Sequence, residues 1–186
     1  AKFLELVHRL DKETSGVLLL AKKRSALTHV QDQFRARDTV KVYAALVAGA
    51  WPASRKVIDV ALVKTLDAQG ERQVRAAAAD HDAARRSSTL VKVAQRFAEH
   101  TLLDVTLKTG RTHQIRVHLA HEGHPIVGDP KYGDFAANRV MARGAHRFGR
   151  MFLHAQHLAF DHPATGERVM LDASLPAECR ALLESL

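Results

Sequence analysis

The sequence predicts an α+β fold: a mixed, largely antiparallel central sheet with helices packed on it. Three observations carry that prediction. β-forming stretches come in pairs across turn signals at residues 67–70 and 163–166. Leu103, Val105 and Leu107 alternate with Asp104 and Thr106, the period of a strand with one buried face. Cys179, Leu182, Leu183 and Leu186 recur at i, i+3, i+4 and i+7, the stripe of an amphipathic helix capping a sheet. The 186 residues, 46% hydrophobic and 26% charged, have ordinary globular composition and suit one domain spanning 1–186.

Taken in order, residues 16–21 form a short apolar run behind a Thr-Ser-Gly turn and read as a fully buried strand. Leu27, Val30 and Phe34 then repeat at helical spacing between Ser25, a plausible N-cap, and Arg37. Residues 40–47 are rich in β-formers and end before Gly49, Trp51 and Pro52. Residues 57–63 and 72–76 flank the hairpin turn at 67–70, and 76–86 has no periodicity and reads as a loop. Residues 90–97 and 102–108 are paired strands, and 112–122 is a helix closed by Gly123 and Pro125. Strands at 152–160 and 167–172 precede the C-terminal helix.

Lys and Arg number 28 against 20 Asp and Glu, giving a net charge of +8 and a pI near 10.0. The basic excess belongs to residues 1–150, whereas 151–186 are slightly acidic. A polyanionic partner is the reading this favours. The longest apolar stretch falls far short of a bilayer span and no signal segment precedes it, so the expectation is a soluble, cytoplasmic protein without membrane contact. The single cysteine, Cys179, excludes an intramolecular disulfide and a cysteine-based metal site. No P-loop, Gly-x-Gly-x-x-Gly run or Gly-x-Ser-x-Gly elbow is present, which removes the usual support for nucleotide-dependent and triad-hydrolase readings. His113, His118, His121 and His124 lack the i, i+4 spacing of a helical zinc pair, so no metal is expected.

Three segments carry candidate chemistry. Asp11, in His8-Arg9-Leu10-Asp11 ahead of the first strand, is a carboxylate on a loop entering a rigid element; it suits a nucleophile or general base, or simply a turn cap paired with Arg9 or Lys12. The 109–116 segment joins a Gly turn, Arg111 and a helix start, an anion site for phosphate as readily as a plain surface helix. Arg116 in that helix, if it faces Asp11, would hold the carboxylate ionised. Lys41 and Tyr43 share one strand face, and Tyr43 is suited to stacking on a base. Arg139, Arg143, Arg147 and Arg150 form one cationic stripe if helical, although Gly144 and Gly149 make a mobile basic loop equally good.

The segments 8–16, 41–43, 109–118 and 123–129 together resemble the RluA family of pseudouridine synthases, in order and spacing as well as in residue identity. The resemblance runs from Phe3 nearly to the C-terminus and is weakest over 75–88. It implies the pseudouridine synthase catalytic fold and an isomerase that detaches uracil from C1′, turns it and rejoins it through C5, on uridines of 23S rRNA, with no cofactor. It implies that Asp11 is the essential carboxylate, acting by covalent attack on C1′ or by proton removal from C2′ to give a glycal. Tyr43 would stack on the uracil, Arg116 would pair with Asp11, and Arg9 would take space vacated by the flipped nucleotide. Lys41, Arg111 and the segment from Arg139 to Arg150 are the expected RNA contacts. The resemblance also implies that the chain lacks the first strands of the catalytic sheet and an upstream S4 RNA-binding domain. A monomer is expected. Two other readings remain: an RNA-binding ribosome-assembly factor with vestigial catalysis, and a base-flipping glycosidase that would release free uracil.

Overall fold

The protein is described from a computed structural model covering residues 2–186. Its elements in chain order are β1 (Glu5–Leu6), β2 (Ser15–Gly16), β3 (Leu20–Ala21), α1 (Arg24–Ala36), β4 (Val40–Ala48), β5 (Val57–Asp59), β6 (Ala61–Leu66), β7 (Arg72–Ala77), β8 (Ser88–Arg96), β9 (His100–Leu107), α2 (Gln114–His121), α3 (Phe135–Arg143), β10 (Leu153–Asp161), β11 (Arg168–Asp172) and α4 (Ala177–Ser185). The main sheet has the order β11-β10-β4-β9-β8-β5, every pair antiparallel, and β2 joins it in parallel beside β10. That is the mixed, largely antiparallel sheet expected from the alternating strands.

β4 and β9 are the middle of the sheet and carry its two faces. On one face Tyr43, Ala45 and Val47 of β4 and Leu103 and Val105 of β9 pack with Ile115 and Leu119 of α2. On the other, Leu46 packs with Phe148, Phe152 and, from α4, Cys179 and Leu182. The register of β10 against β4 slips between Ala155 and His157, leaving Gln156 extra. A one-residue bulge reverses the side-chain parity downstream of it. Leu153 and Ala155 before the bulge and Leu158 and Phe160 after it therefore face the same side. The latter pair meets Leu27 and Val30 of α1. Helices α1 and α2 thus lie on one face of the sheet, with the Lys41–Tyr43 end of β4 beneath the gap between them.

Several sequence expectations are corrected here. Residues 16–21 do not form one buried strand. Gly16 ends β2 against β10, Leu20 begins β3 against β1, and Leu18 and Leu20 are exposed. A short apolar run does not reveal how its hydrogen bonds are shared between two partners. Helix α1 is capped by Lys23, not Ser25, with no side-chain hydrogen bond, but it ends at Arg37 as expected, in the left-handed region at φ 65°. The 57–63 stretch breaks at Val60: β5 joins the main sheet while β6 leaves it to form a separate hairpin with β7. Helix α2 begins at Gln114, after the turn residues 112–113.

Candidate active site

Asp11 is brought to the sheet by the short segment behind it. The Thr14 N–H donates to the Asp11 carbonyl at 2.9 Å, closing a turn that leads straight into β2. β2 pairs with His154 and Ala155, and Ala155 is in turn opposite Tyr43 on β4. The contact is so close that a Cβ on Gly16, which has φ 116°, would stand 2.2 Å from the Ala155 carbonyl oxygen. Only glycine allows this approach. Upstream, His8 Nε2 accepts the Leu19 N–H at 3.1 Å and its ring stacks on Phe34 of α1, with centroids 5.2 Å apart. Both ends of the Asp11 loop are therefore fixed.

Arg116 comes from α2, only 6% exposed. Its Nε and Nη2 donate to the two carboxylate oxygens of Asp129 at 2.8 and 2.9 Å, and its Nη1 donates to Asp11 Oδ2 at 3.2 Å. Its guanidinium also lies 5.1 Å from the centre of the Tyr132 ring. Burial works against the guanidinium charge, yet Asp129 and then Asp11 more than offset it and raise its pKa. Asp129 is fully buried; burial opposes its ionisation, but Arg116 and the Tyr132 and Lys131 N–H groups hold its carboxyl below the usual range. The loop bearing Asp129 is held by Asn138 of α3, whose side chain accepts the Gly128 N–H and donates to the Asp129 carbonyl.

The turn into α2 is organised by Gln114, which is almost fully buried. Its Oε1 accepts from the Thr109 hydroxyl at 2.7 Å and the Arg111 N–H at 3.0 Å, while its Nε2 donates to the Ser88 carbonyl and Thr89 Oγ1. The next residue outward, His113, sits at φ 53° and contacts the Tyr132 hydroxyl through Nδ1 at 2.8 Å. His113 thus holds, beside the cleft, a backbone conformation that non-glycine residues adopt sparingly.

These elements enclose a cleft of about 260 Å³ between α1 and α2. Asp11, Tyr43 and Arg116 all line it, together with Arg9, Lys41 and Arg111. Burial, then the charge of Asp11, pushes the Tyr43 phenol up to about 12, so it remains a hydroxyl at neutral pH. Burial lowers the pKa of Lys41, whose Nζ lies 5.0 Å from the Phe34 ring centre. The chemical capacity is that of an oriented carboxylate in a cleft that a phenol and basic groups also line.

The structure does not bring the four-arginine stripe to this cleft. Arg139 and Arg143 lie on α3, Gly144 ends that helix, and Arg147 and Arg150 follow outside it. Arg150 pairs with Glu178 at 2.8 Å and donates to Ser15 Oγ at 2.8 Å, tying down β2. Among the described residues no group of three or more His, Cys, Asp or Glu stands together as a metal site; His118 is enclosed by Thr89 and the Val60 carbonyl. Asp129, Gln114 and Tyr132 are the site residues that sequence reasoning did not assign. Gln114 and Asp129 lie in segments that carry the family resemblance, and Asp129 also stands directly after the apolar Ile126-Val127-Gly128 run.

Comparison with known proteins agrees with this geometry. The ribosomal large subunit pseudouridine synthases C of Haemophilus influenzae and of Escherichia coli are each 44% identical over 186 residues, covering all of this chain and 56% and 57% of theirs. The chain thus spans about half the length of the curated relatives it matches. Two solved structures, human RNA pseudouridylate synthase domain containing 1 and 4, superpose with TM-scores of 0.78 at 29% identity. They cover 94% and 97% of this chain, and 70% and 75% of their own. The family model for RNA pseudouridylate synthases matches residues 1–121, which contain Asp11, Tyr43 and Arg116, and by that match the chain belongs to the RNA pseudouridylate synthase family.

Proposed function

We propose that the protein isomerises uridine to pseudouridine in 23S rRNA, without a cofactor and as a monomer, with Asp11, Tyr43 and Arg116 as its catalytic residues. The observation that carries this reading is the Arg116 contact to Asp11 at 3.2 Å inside a cleft that Tyr43 also lines. C1′ of a stacked nucleotide is inaccessible to a carboxylate, so the uridine must leave the stack before it can enter the cleft. Arg116 holds Asp11 through its Nη1 donor, and Tyr43 offers its ring face to the base and its hydroxyl to proton movement.

Two routes fit the same residues. In one, Asp11 bonds to C1′ as the C1′–N1 bond breaks and its electron pair leaves with the uracil; the turned uracil then bonds through C5, expelling the carboxylate and losing the C5 proton while N1 takes one up. In the other, Asp11 removes the C2′ proton as the C1′–N1 electron pair leaves with the uracil, giving the C1′=C2′ glycal; C5 then bonds to C1′ as Asp11 returns the proton to C2′, and C5 loses its proton while N1 takes one up. No helix among the described residues is long and apolar enough to cross a membrane, and we place the protein in the cytoplasm with its rRNA substrate.

The test is to treat 23S rRNA lacking pseudouridine with wild-type and Asp11→Asn protein and map the product by chemical adduct and primer extension. Pseudouridine with wild type, and a loss of about 10³-fold or more with Asp11→Asn, is expected. Release of free uracil would identify a glycosidase instead, and equal turnover by the variant would remove Asp11 from the mechanism.

A further inference from the structure

Two further hollows open from the catalytic cleft, and both share Gly110 and Arg111 with it. The first, about 640 Å³, runs from there between the end of α1 and the end of β9 and is lined by Arg35, Arg37, Lys41 and Lys108 as well as Arg111. The second, about 440 Å³, runs toward the β6-β7 hairpin and carries Lys64 and Arg85. No Asp or Glu lines either hollow. Among the described residues, Arg37, Lys64, Arg85, Lys108 and Arg111 make no salt bridge. Unneutralised cations along two confluent grooves repel one another unless an anion is shared between them.

The hollow on the far side of Arg116 differs. Its cations Lys12 and Lys131 are interleaved with Glu13, Asp67 and Glu71, so a phosphate chain gains little there. α3, with Arg139 and Arg143, flanks that mixed side through Phe135.

We propose that a single RNA strand crosses the molecule along the two acid-free grooves, phosphates of one flank held by Arg37 and Lys108 and those of the other by Lys64 and Arg85, with the target nucleotide dropping into the Asp11 cleft at their junction. This rests on the pseudouridine synthase reading and adds to it the path of the substrate. The junction suits the purpose: Gly110 presents no side chain that a rotating nucleotide would have to displace, and Arg111 touches all three hollows. A strand entering and leaving by separate grooves places the nucleotide between them over the cleft mouth. Its two flanks, held by separate cation pairs, then offset the cost of unstacking.

The test measures binding of a short single-stranded RNA with one central uridine, at several salt concentrations, to full-length protein carrying Asp11→Asn so that no turnover intervenes. Arg37→Ala with Lys108→Ala, and separately Lys64→Ala with Arg85→Ala, should each reduce the slope of log affinity against log salt by about 1.4, since each phosphate contact to a single strand contributes about 0.7. Arg139→Ala with Arg143→Ala should leave the slope unchanged. RNAs shortened on one side of the uridine should become indifferent to one double substitution while remaining sensitive to the other. Unchanged slopes in both groove variants, or an equal loss in the α3 variant, would overturn the track and leave the pseudouridine synthase reading standing. No RNA binding at all by the Asp11→Asn protein would overturn both.

Discussion

Arg116 Nη1 lies 3.2 Å from Asp11 Oδ2, joining residues 105 apart in the chain, while the other edge of the same guanidinium is gripped by Asp129. The planar fork lets one cation serve two carboxylates at once, and its direction is set by the buried one. A lysine keeps the charge but is a single point donor on a flexible stem. Arg116→Lys should therefore fold yet lose about 10²-fold or more in turnover, the scale expected when a reacting group shifts by an ångström. Single-turnover kinetics on rRNA checks this, with wild-type rates in the variant counting against a positioning role for the fork.

Asp129 supplies the other half of that arrangement. Asp129→Ala leaves the buried Arg116 with Asp11 as its only carboxylate partner and also removes the acceptor of two backbone N–H groups. A loss of about 3–5 kcal/mol in urea unfolding is expected, the cost of breaking a buried pair by deleting one partner. The pH dependence has a definite sign. The folded carboxyl lies below its unfolded value, so its contribution is complete above the ordinary aspartate range and disappears as pH falls through the folded value. The variant should show a flatter stability profile on the acid side of pH 4.

Whether such a residue is legible in the sequence depends on how local its signal is. Strand alternation in Leu103, Val105 and Leu107 and the spacing of Leu27, Val30 and Phe34 are local, and those elements fold as read. The Asp11–Arg116 contact was legible only through family context, because the sheet order that joins them is a long-range property. Asp129 looks like an ordinary polar loop residue, and Gln114 like an ordinary first-turn helix residue, until burial is known. The split of 16–21 between two partners, and the departure of β6 from the main sheet at Val60, follow from competition between strands that no single window contains.

His8 gives the Asp11 loop a pH-sensitive anchor. Burial, then the nearby charge of Lys41, lowers its pKa from 6.5 to about 4. The folded state thus prefers the neutral ring, whose Nε2 accepts the Leu19 N–H. Stability from this group is full above pH 6.5 and is lost as pH falls from 6.5 toward 4, because the unfolded chain binds the proton first. Urea midpoints measured across that window should fall for the wild type and fall less for His8→Gln. Parallel profiles for the two proteins would show that the imidazole does not titrate against folding.

Tyr132 and His113 fix a proton position at the cleft. The Tyr132 oxygen accepts the Val74 N–H at 3.1 Å, and the His113 Nδ1 lies 2.8 Å away. Burial raises the Tyr132 pKa and lowers that of His113, so the pair is a phenol and a neutral imidazole. A phenol that donates to Nδ1 leaves the His113 proton on Nε2, and we take this tautomer as the prediction for a residue that lines the cleft. Nitrogen-15 spectra of the wild type should therefore show His113 protonated at Nε2, and Tyr132→Phe should yield a mixture of tautomers. One lost hydrogen bond of this kind is worth roughly 0.5–1.5 kcal/mol, so turnover should drop about two- to tenfold in Tyr132→Phe. A second substitution, His113→Phe, should make turnover indifferent to Tyr132, since the phenol acts on the reaction only through the imidazole. A wild-type spectrum with the proton on Nδ1 would reverse the direction of the hydrogen bond and remove this role from Tyr132.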